Sequence, residues 1–194
     1  MSNLRQISSL AIRIARQVPS AASEVLPDLL EDGVIQSTLI LSPPGGGKTT
    51  LLREIIRCVS DGEGALPRRV GIADERGELA ALEAGVPRMD VGARTDVMDG
   101  CPKQTGLMML LRGMNPQVLA MDEITAPSDA LALETAAGCG VTLLATAHAA
   151  GLKDLEIRPV YRRLGQADMF RRAVVITLEQ GKRRYEVFRL GVGT

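Results

Sequence analysis

Ser42-Pro43-Pro44-Gly45-Gly46-Gly47-Lys48-Thr49-Thr50 follows the apolar run Leu39-Ile40-Leu41 and leads into Leu51-Leu52-Arg53-Glu54-Ile55-Ile56, whose apolar residues recur at helical spacing. Strand, glycine-rich loop and helix, in that order, is the setting in which a phosphate-loop pattern carries structural meaning. Pro43 and Pro44 have no amide hydrogen, so they stiffen the entry and donate nothing. The donors to a polyphosphate are therefore the amides from Gly45 onward, where missing Cβ atoms allow close approach and the helix N-terminus adds positive partial charge. The segment Pro44 to Thr50 is thus the expected nucleotide-binding element, comprising Pro44, Gly45, Gly46, Gly47, Lys48, Thr49 and Thr50. Lys48 is expected to reach the terminal phosphates and Thr49 to bind magnesium through its hydroxyl. Ser42 stands where the pattern has its leading glycine.

The same alternation continues along the chain. Strands are expected at Ser37–Leu41, Arg69–Ala73, Val118–Met121 and Val141–Ala145, with a terminal hairpin of Ala173–Leu178 and Tyr185–Leu190. Helices are expected from Leu51 to about Ser60, over Thr105–Met114, and from a Ser128 cap to near Gly138 or Gly140. Shorter ones are expected at Ala21–Leu26 and, broken at Pro159 and Gly165, over 152–170. Ser8–Ile14 alternates as a half-exposed strand, and Gly85–Lys103, rich in Gly and Pro, reads as a long functional loop. With 194 residues and no linker or repeat, one domain over 1–194 is expected. The fold class is α/β: a mainly parallel sheet flanked by helices, with a C-terminal β-hairpin.

In such sheets ligands sit at the carboxyl ends of the strands. Every polar cluster falls there: the glycine loop, Asp74-Glu75-Arg76, Asp122-Glu123 and Thr146-Ala147-His148. Asp122 fits a magnesium ligand beside Thr49, and Glu123 is placed to orient or deprotonate a water. His148, the single histidine of the chain, reads either as a sensor of the terminal phosphate or as a helix-capping residue. Asp74 or Glu75 is a further candidate for placing water or metal, with Arg76 pairing Glu78 as the plainer reading. Arg94, in the Gly/Pro-rich segment, is the first candidate for a charge-neutralising arginine, with Arg112 next, acting within its own subunit or on a neighbour. No Asn-Lys-x-Asp guanine motif is present, which favours ATP over GTP.

Composition narrows the partners. Basic and acidic residues balance at 23 each, which gives no net attraction to nucleic acid or an anionic membrane. Aromatics are only 2%, too few for base-stacking platforms. Three scattered cysteines without a Cys-x-x-Cys pair read as reduced thiols. No apolar run approaches membrane-spanning length and no signal-peptide core is present, so a soluble, cytoplasmic protein is expected.

These residues carry a family resemblance. Thr38 to Thr50, Asp74-Glu75-Arg76, the segment Asp90 to Lys103, Leu111 to Pro116, Asp122-Glu123-Ile124 and Thr146-Ala147-His148 resemble the stage III sporulation protein AA family. That family is similar to the ATPases of type II and type IV secretion and pilus machines, which share a RecA-like P-loop core. The resemblance implies a mother-cell ATPase, hexameric when full length, peripheral at a membrane through channel or secretion proteins of a sporulation complex. It sets Glu75 in an acidic box and His148 in a histidine box. Asp122 replaces a residue commonly glycine there, and Thr125 stands where a glycine or arginine is expected. Members usually carry a sizeable N-terminal domain, and this chain begins at about the ATPase core. Two rivals share the core: a nucleic-acid-stimulated motor and a nucleotide-gated scaffold with little turnover.

Overall fold

A computed structural model describes residues 17–191 and Ser9; the strand expected over Ser8–Ile14 falls, apart from Ser9, outside the described residues. In chain order the strands are β1 (Leu30–Glu31), β2 (Val34–Ile35), β3 (Thr38–Ser42), β4 (Val70–Asp74), β5 (Leu82–Glu83), β6 (Val86–Pro87), β7 (Thr95–Asp99), β8 (Val118–Met121), β9 (Thr142–His148), β10 (Arg172–Glu179) and β11 (Lys182–Arg189). The helices are α1 (Lys48–Asp61), α2 (Lys103–Gly113), α3 (Pro127–Gly138), α4 (Lys153–Ile157) and α5 (Pro159–Gln166). Seven strands form one sheet in the order β11-β10-β3-β9-β8-β4-β7. All neighbours are parallel except β11, which pairs antiparallel with β10.

The strand side chains alternate between two cores. Ile40, Ile72, Val118, Ala120, Leu144, Val174 and Ile176 pack with Leu51, Leu52, Ile55, Ile56 and Val59 of α1 on one face. Leu39, Leu41, Leu119, Met121, Leu143, Ala145 and Val175 pack with Leu107 and Leu110 of α2, Leu133 and Ala136 of α3, and Tyr161 and Leu164 of α5 on the other. Burial on both faces is why these strands read as unbroken apolar runs. Gly71 leaves room for side chains of β8 and α2 against β4, since a Cβ there would sit 2.9 Å from Leu119 Cδ2 and 3.4 Å from Leu110 Cβ.

Four expectations are corrected. Gly85–Lys103 is not one loop: after the small β5–β6 hairpin it supplies β7, an edge strand running parallel to β4. Its residues are only partly buried, so no apolar run marks it. Residues 21–25 form successive turns leading into a 3-10 turn over Leu26–Leu29, with bonds such as Ser23 N to Ser20 O and Val25 N to Ala22 O. A piece that short has too few i→i+4 bonds to nucleate an α-helix. Helix α3 starts at Pro127 rather than at a Ser128 cap, and Asp129 accepts the amides of Thr125 and Ala126 at 2.9 Å each. Gly165 lies inside α5, whereas Pro159 does separate it from α4.

The terminal hairpin is pinned by a two-residue turn, Gln180-Gly181, with positive φ at both positions (51° and 77°). β10 pairs with β3 only from Arg172↔Thr38 to Val175↔Leu41, so Ile176–Glu179 and the start of β11 run on past the end of β3. That overhang stands beside the glycine loop.

Candidate functional site

Five strands deliver residues to one cavity of about 680 Å³ at the carboxyl edge of the sheet, lined by Pro44, Gly45, Gly47 to Thr50 and by residues of four other segments. The loop turns through left-handed backbone at Gly45 (φ 78°) and at Gly47 (φ 101°), which is the N-cap of α1. Between them, Gly46 explains the unusual Ser42. The buried Ser42 hydroxyl donates to Pro43 O at 2.7 Å and lies under Gly46, where a Cβ would be 1.7 Å from Ser42 Oγ. Gly46→Ala is therefore expected to weaken nucleotide binding and cost about 1–3 kcal/mol of stability by overpacking. Pairing it with Ser42→Gly should restore both, as measured by nucleotide titration and thermal melting; failure of that rescue would contradict the packing account.

The side chains that follow are tightly coupled. Lys48 is buried, and its Nζ donates to Ser42 O at 3.0 Å, Pro43 O at 3.3 Å and His148 Nδ1 at 2.9 Å. An ammonium only donates, so Nδ1 accepts and the proton of neutral His148 sits on Nε2. Nε2 then donates to Glu123 Oε1, 3.0 Å away. Thr49 Oγ1 donates to Asp122 Oδ2 at 2.8 Å, and Thr146 Oγ1 donates to Asp122 Oδ1 at 2.6 Å. Thr146 Oγ1 also accepts from Glu123 N at 2.8 Å. Glu123 itself has φ 54°, a left-handed conformation that is costly outside glycine. Lys103, Thr146 and β9 hold it there: Lys103 Nζ donates to Glu123 O, and Ile124 N to Thr146 O at 2.8 Å. Tyr161 on α5 closes the frame, accepting from His148 N at 3.1 Å and donating to Ile124 O.

The expected acids divide. Asp74 is 2% exposed and accepts amides from Glu78, Leu79 and Ala80 at 2.8–3.2 Å, so it shapes the loop after β4. Glu75 is exposed and faces the N-terminus of α2, accepting from Lys103 N at 3.4 Å. Arg76 pairs with Glu123 at 3.4 Å rather than with Glu78. Arg53 of α1 reaches the same loop, donating to Leu79 O and Glu78 O. Burial pulls its guanidinium below the ordinary value, and the Asp122 and Asp74 carboxylates pull it back up.

Arg94 is not brought to this cavity within its own chain. It precedes β7, donates through Nη1 to Ser60 O at 2.9 Å at the far end of α1, and so lies at the amino edge of the sheet. Arg112 lines a separate groove with Arg68, Asn115 and Gln117, also at the amino edge. The arginines lining the cavity are Arg53, Arg76 and Arg183, the last donating through Nε to Gly46 O at 3.0 Å. Lys103, at the end of the Asp90–Lys103 segment, and Arg183, within the basic run Lys182-Arg183-Arg184, are not marked as site residues by their local sequence, because only the tertiary fold brings them there.

A magnesium–triphosphate complex fits these residues. Thr49 and Asp122 offer two adjoining hard oxygen ligands at the foot of an amide-lined loop. The described residues hold no cluster of three or more His, Cys, Asp or Glu, and magnesium bound with phosphate needs only one or two protein oxygens. No helix of the described residues is long and apolar enough to cross a membrane.

Solved structures share this architecture. The Legionella pneumophila ATPase DotB superposes with a TM-score of 0.65 at 20% identity over 91% of this chain and 52% of that one. The pilus retraction motor PilT, solved with bound ADP, gives 0.60 at 15% identity over 92% and 55%. The VirB11 ATPase of the Brucella suis type IV secretion system gives 0.57 at 15% identity over 79% and 48%. At such identities the likeness establishes the fold, which is that of the P-loop ATPases. The sequence narrows it further. The profile of the family described as "Sporulation stage III, protein AA" matches residues 1–188, and the chain belongs to that family. It is 42% identical over 182 residues to stage III sporulation protein AA of Bacillus subtilis, covering 93% of this chain and 59% of that protein. It is also 35% identical to a Porphyra purpurea protein described as uncharacterized protein ycf45, covering 92% of this chain and 30% of that one. The chain thus spans about three fifths of the length of the first of these relatives and about three tenths of the second.

Proposed function

We propose that this chain binds Mg·ATP and hydrolyses it as the motor domain of a secretion-type ATPase, working in a ring of identical subunits to energise a sporulation channel or secretion complex. The observation that carries the reading is the Thr49–Asp122 contact: two motifs separated by 73 residues meet at 2.8 Å beside the glycine loop. The family membership and the fold of DotB, VirB11 and PilT support it.

The loop amides and Lys48 bind the phosphates, and Thr49 and Asp122 would hold magnesium, which neutralises phosphate charge and fixes its geometry. An anionic phosphate oxygen is a stronger partner for the Lys48 ammonium than a neutral imidazole, so binding draws Lys48 from His148. Glu123 faces the same cavity as an acceptor and orients the attacking water, while His148 keeps its Nε2 proton toward that carboxylate.

ATP hydrolysis per subunit, measured over a wide range of protein concentration with and without magnesium, tests this. Magnesium-dependent activity that rises with concentration is the expected result. Clear magnesium-dependent binding without turnover at any concentration would favour the nucleotide-gated scaffold instead. Absence of both overturns the proposal.

A further inference from the structure

We propose that Arg183, carried by the terminal hairpin, reads the terminal phosphate of a nucleoside triphosphate held by the glycine loop of its own chain; this rests on the nucleotide-binding reading above. Three adjacent basic residues, Lys182-Arg183-Arg184, begin β11. Successive strand residues point to opposite faces, so only alternate members of such a run face one ligand. Arg184 pairs with Glu179 of the hairpin at 3.2 Å. Arg183 points the other way, onto the glycine loop. The overhang of the hairpin beyond β3 gives it that reach.

The fit is close. Arg183 Nε donates to Gly46 O at 3.0 Å, and a Cβ on Gly47 would lie 2.6 Å from the same nitrogen. Gly47 thus serves two needs at once, a left-handed turn and room for the guanidinium. Lys48, the side chain expected on the terminal phosphates, lines the same cavity as Arg183. The other arginines of the cavity are engaged: Arg53 by the Leu79 and Glu78 carbonyls, Arg76 by Glu123. Among the described residues Arg183 has its one hydrogen bond, to a neutral carbonyl, through Nε, which leaves the two terminal nitrogens of its planar fork for an anion. Four basic side chains line the cavity against three carboxylates, a balance that suits a polyanion bound with a divalent cation. A phosphate oxygen makes a charge-assisted bond that the Gly46 carbonyl cannot match.

The test titrates Mg·ATP and Mg·ADP into the 194-residue chain by calorimetry, comparing Arg183→Ala, Arg183→Lys and Lys48→Ala with the parent. Melting curves come first, to show that each variant folds. Arg183→Ala is expected to weaken Mg·ATP binding about tenfold and Mg·ADP binding less than about threefold. Arg183→Lys should recover only part of the loss, because a point charge lacks the fork. If Lys48→Ala abolishes binding while Arg183→Ala leaves it unchanged, or weakens ATP and ADP equally, the assignment of Arg183 fails and the phosphate loop stands. If Lys48→Ala binds like the parent, the nucleotide site itself fails and takes the assignment with it. A loss that appears only at higher protein concentration would put Arg183 on a neighbour's nucleotide and overturn the claim that it acts within its own chain.

Discussion

Glu123→Gln is expected to lower ATP turnover by about 10²–10⁴-fold while Mg·ATP binding survives. The amide matches the carboxylate in size and shape, and its carbonyl oxygen still accepts the Nε2 proton of His148, now 3.0 Å from Oε1. The left-handed backbone at Glu123, φ 54°, costs glutamine about what it costs glutamate, and the Lys103 and Thr146 side chains that support it touch only backbone atoms of residue 123. The exposed Arg76 pair at 3.4 Å adds little to stability. What disappears is the charge and basicity aimed at a water. Rapid-mixing measurement of phosphate release beside equilibrium titration separates the two effects. Turnover within about twofold of the parent would remove Glu123 from the chemistry, and loss of binding would mean that the residue is structural.

The central strands were legible because both of their faces are buried. Leu39-Ile40-Leu41 and Val118-Leu119-Ala120-Met121 leave no polar position to interrupt the run, and each ends on the residues that build the site. The edge strand β7 escaped, since Thr95-Asp96-Val97-Met98-Asp99 pairs on one side only and carries three polar residues. That omission misplaced Arg94. Read as part of a loop, it was free to fold back over the phosphates; as the residue before a parallel strand it is held at the amino edge, about 16 Å of strand length from the carboxyl end. Lys103, just beyond the same strand, is the residue delivered to the site, where it fixes the Glu123 carbonyl. Arg183 was visible only as part of a basic cluster, because nothing local says which strand will lie beside β3. Motif residues whose partners are set by short loops can be read from order alone. Those supplied by a distant strand depend on sheet order, which here runs β11-β10-β3 and brings residue 183 against residue 46.

The same distinction separates the two acids that close β4, and it predicts a large effect of another kind. Asp74→Ala is expected to destabilise the fold by about 3–5 kcal/mol, because the buried amides of Leu79 and Ala80 lose their acceptor and each orphaned donor costs about 1–3 kcal/mol. Glu78 N, less buried, turns to water at smaller cost. The Arg53 guanidinium also loses one of the two carboxylates that offset its burial. For a domain of this size the change corresponds to a fall in melting temperature of roughly 10 °C. Glu75→Ala, by contrast, removes an exposed side chain with a single long bond to Lys103 N and should leave the melting temperature within about 2 °C. Calorimetric melting of both variants decides the matter. An unchanged melting temperature for Asp74→Ala, coupled to lost magnesium-dependent binding, would return that carboxylate to the metal site; a collapse in stability keeps it as the clamp that sets the loop bearing Glu75 and Arg76.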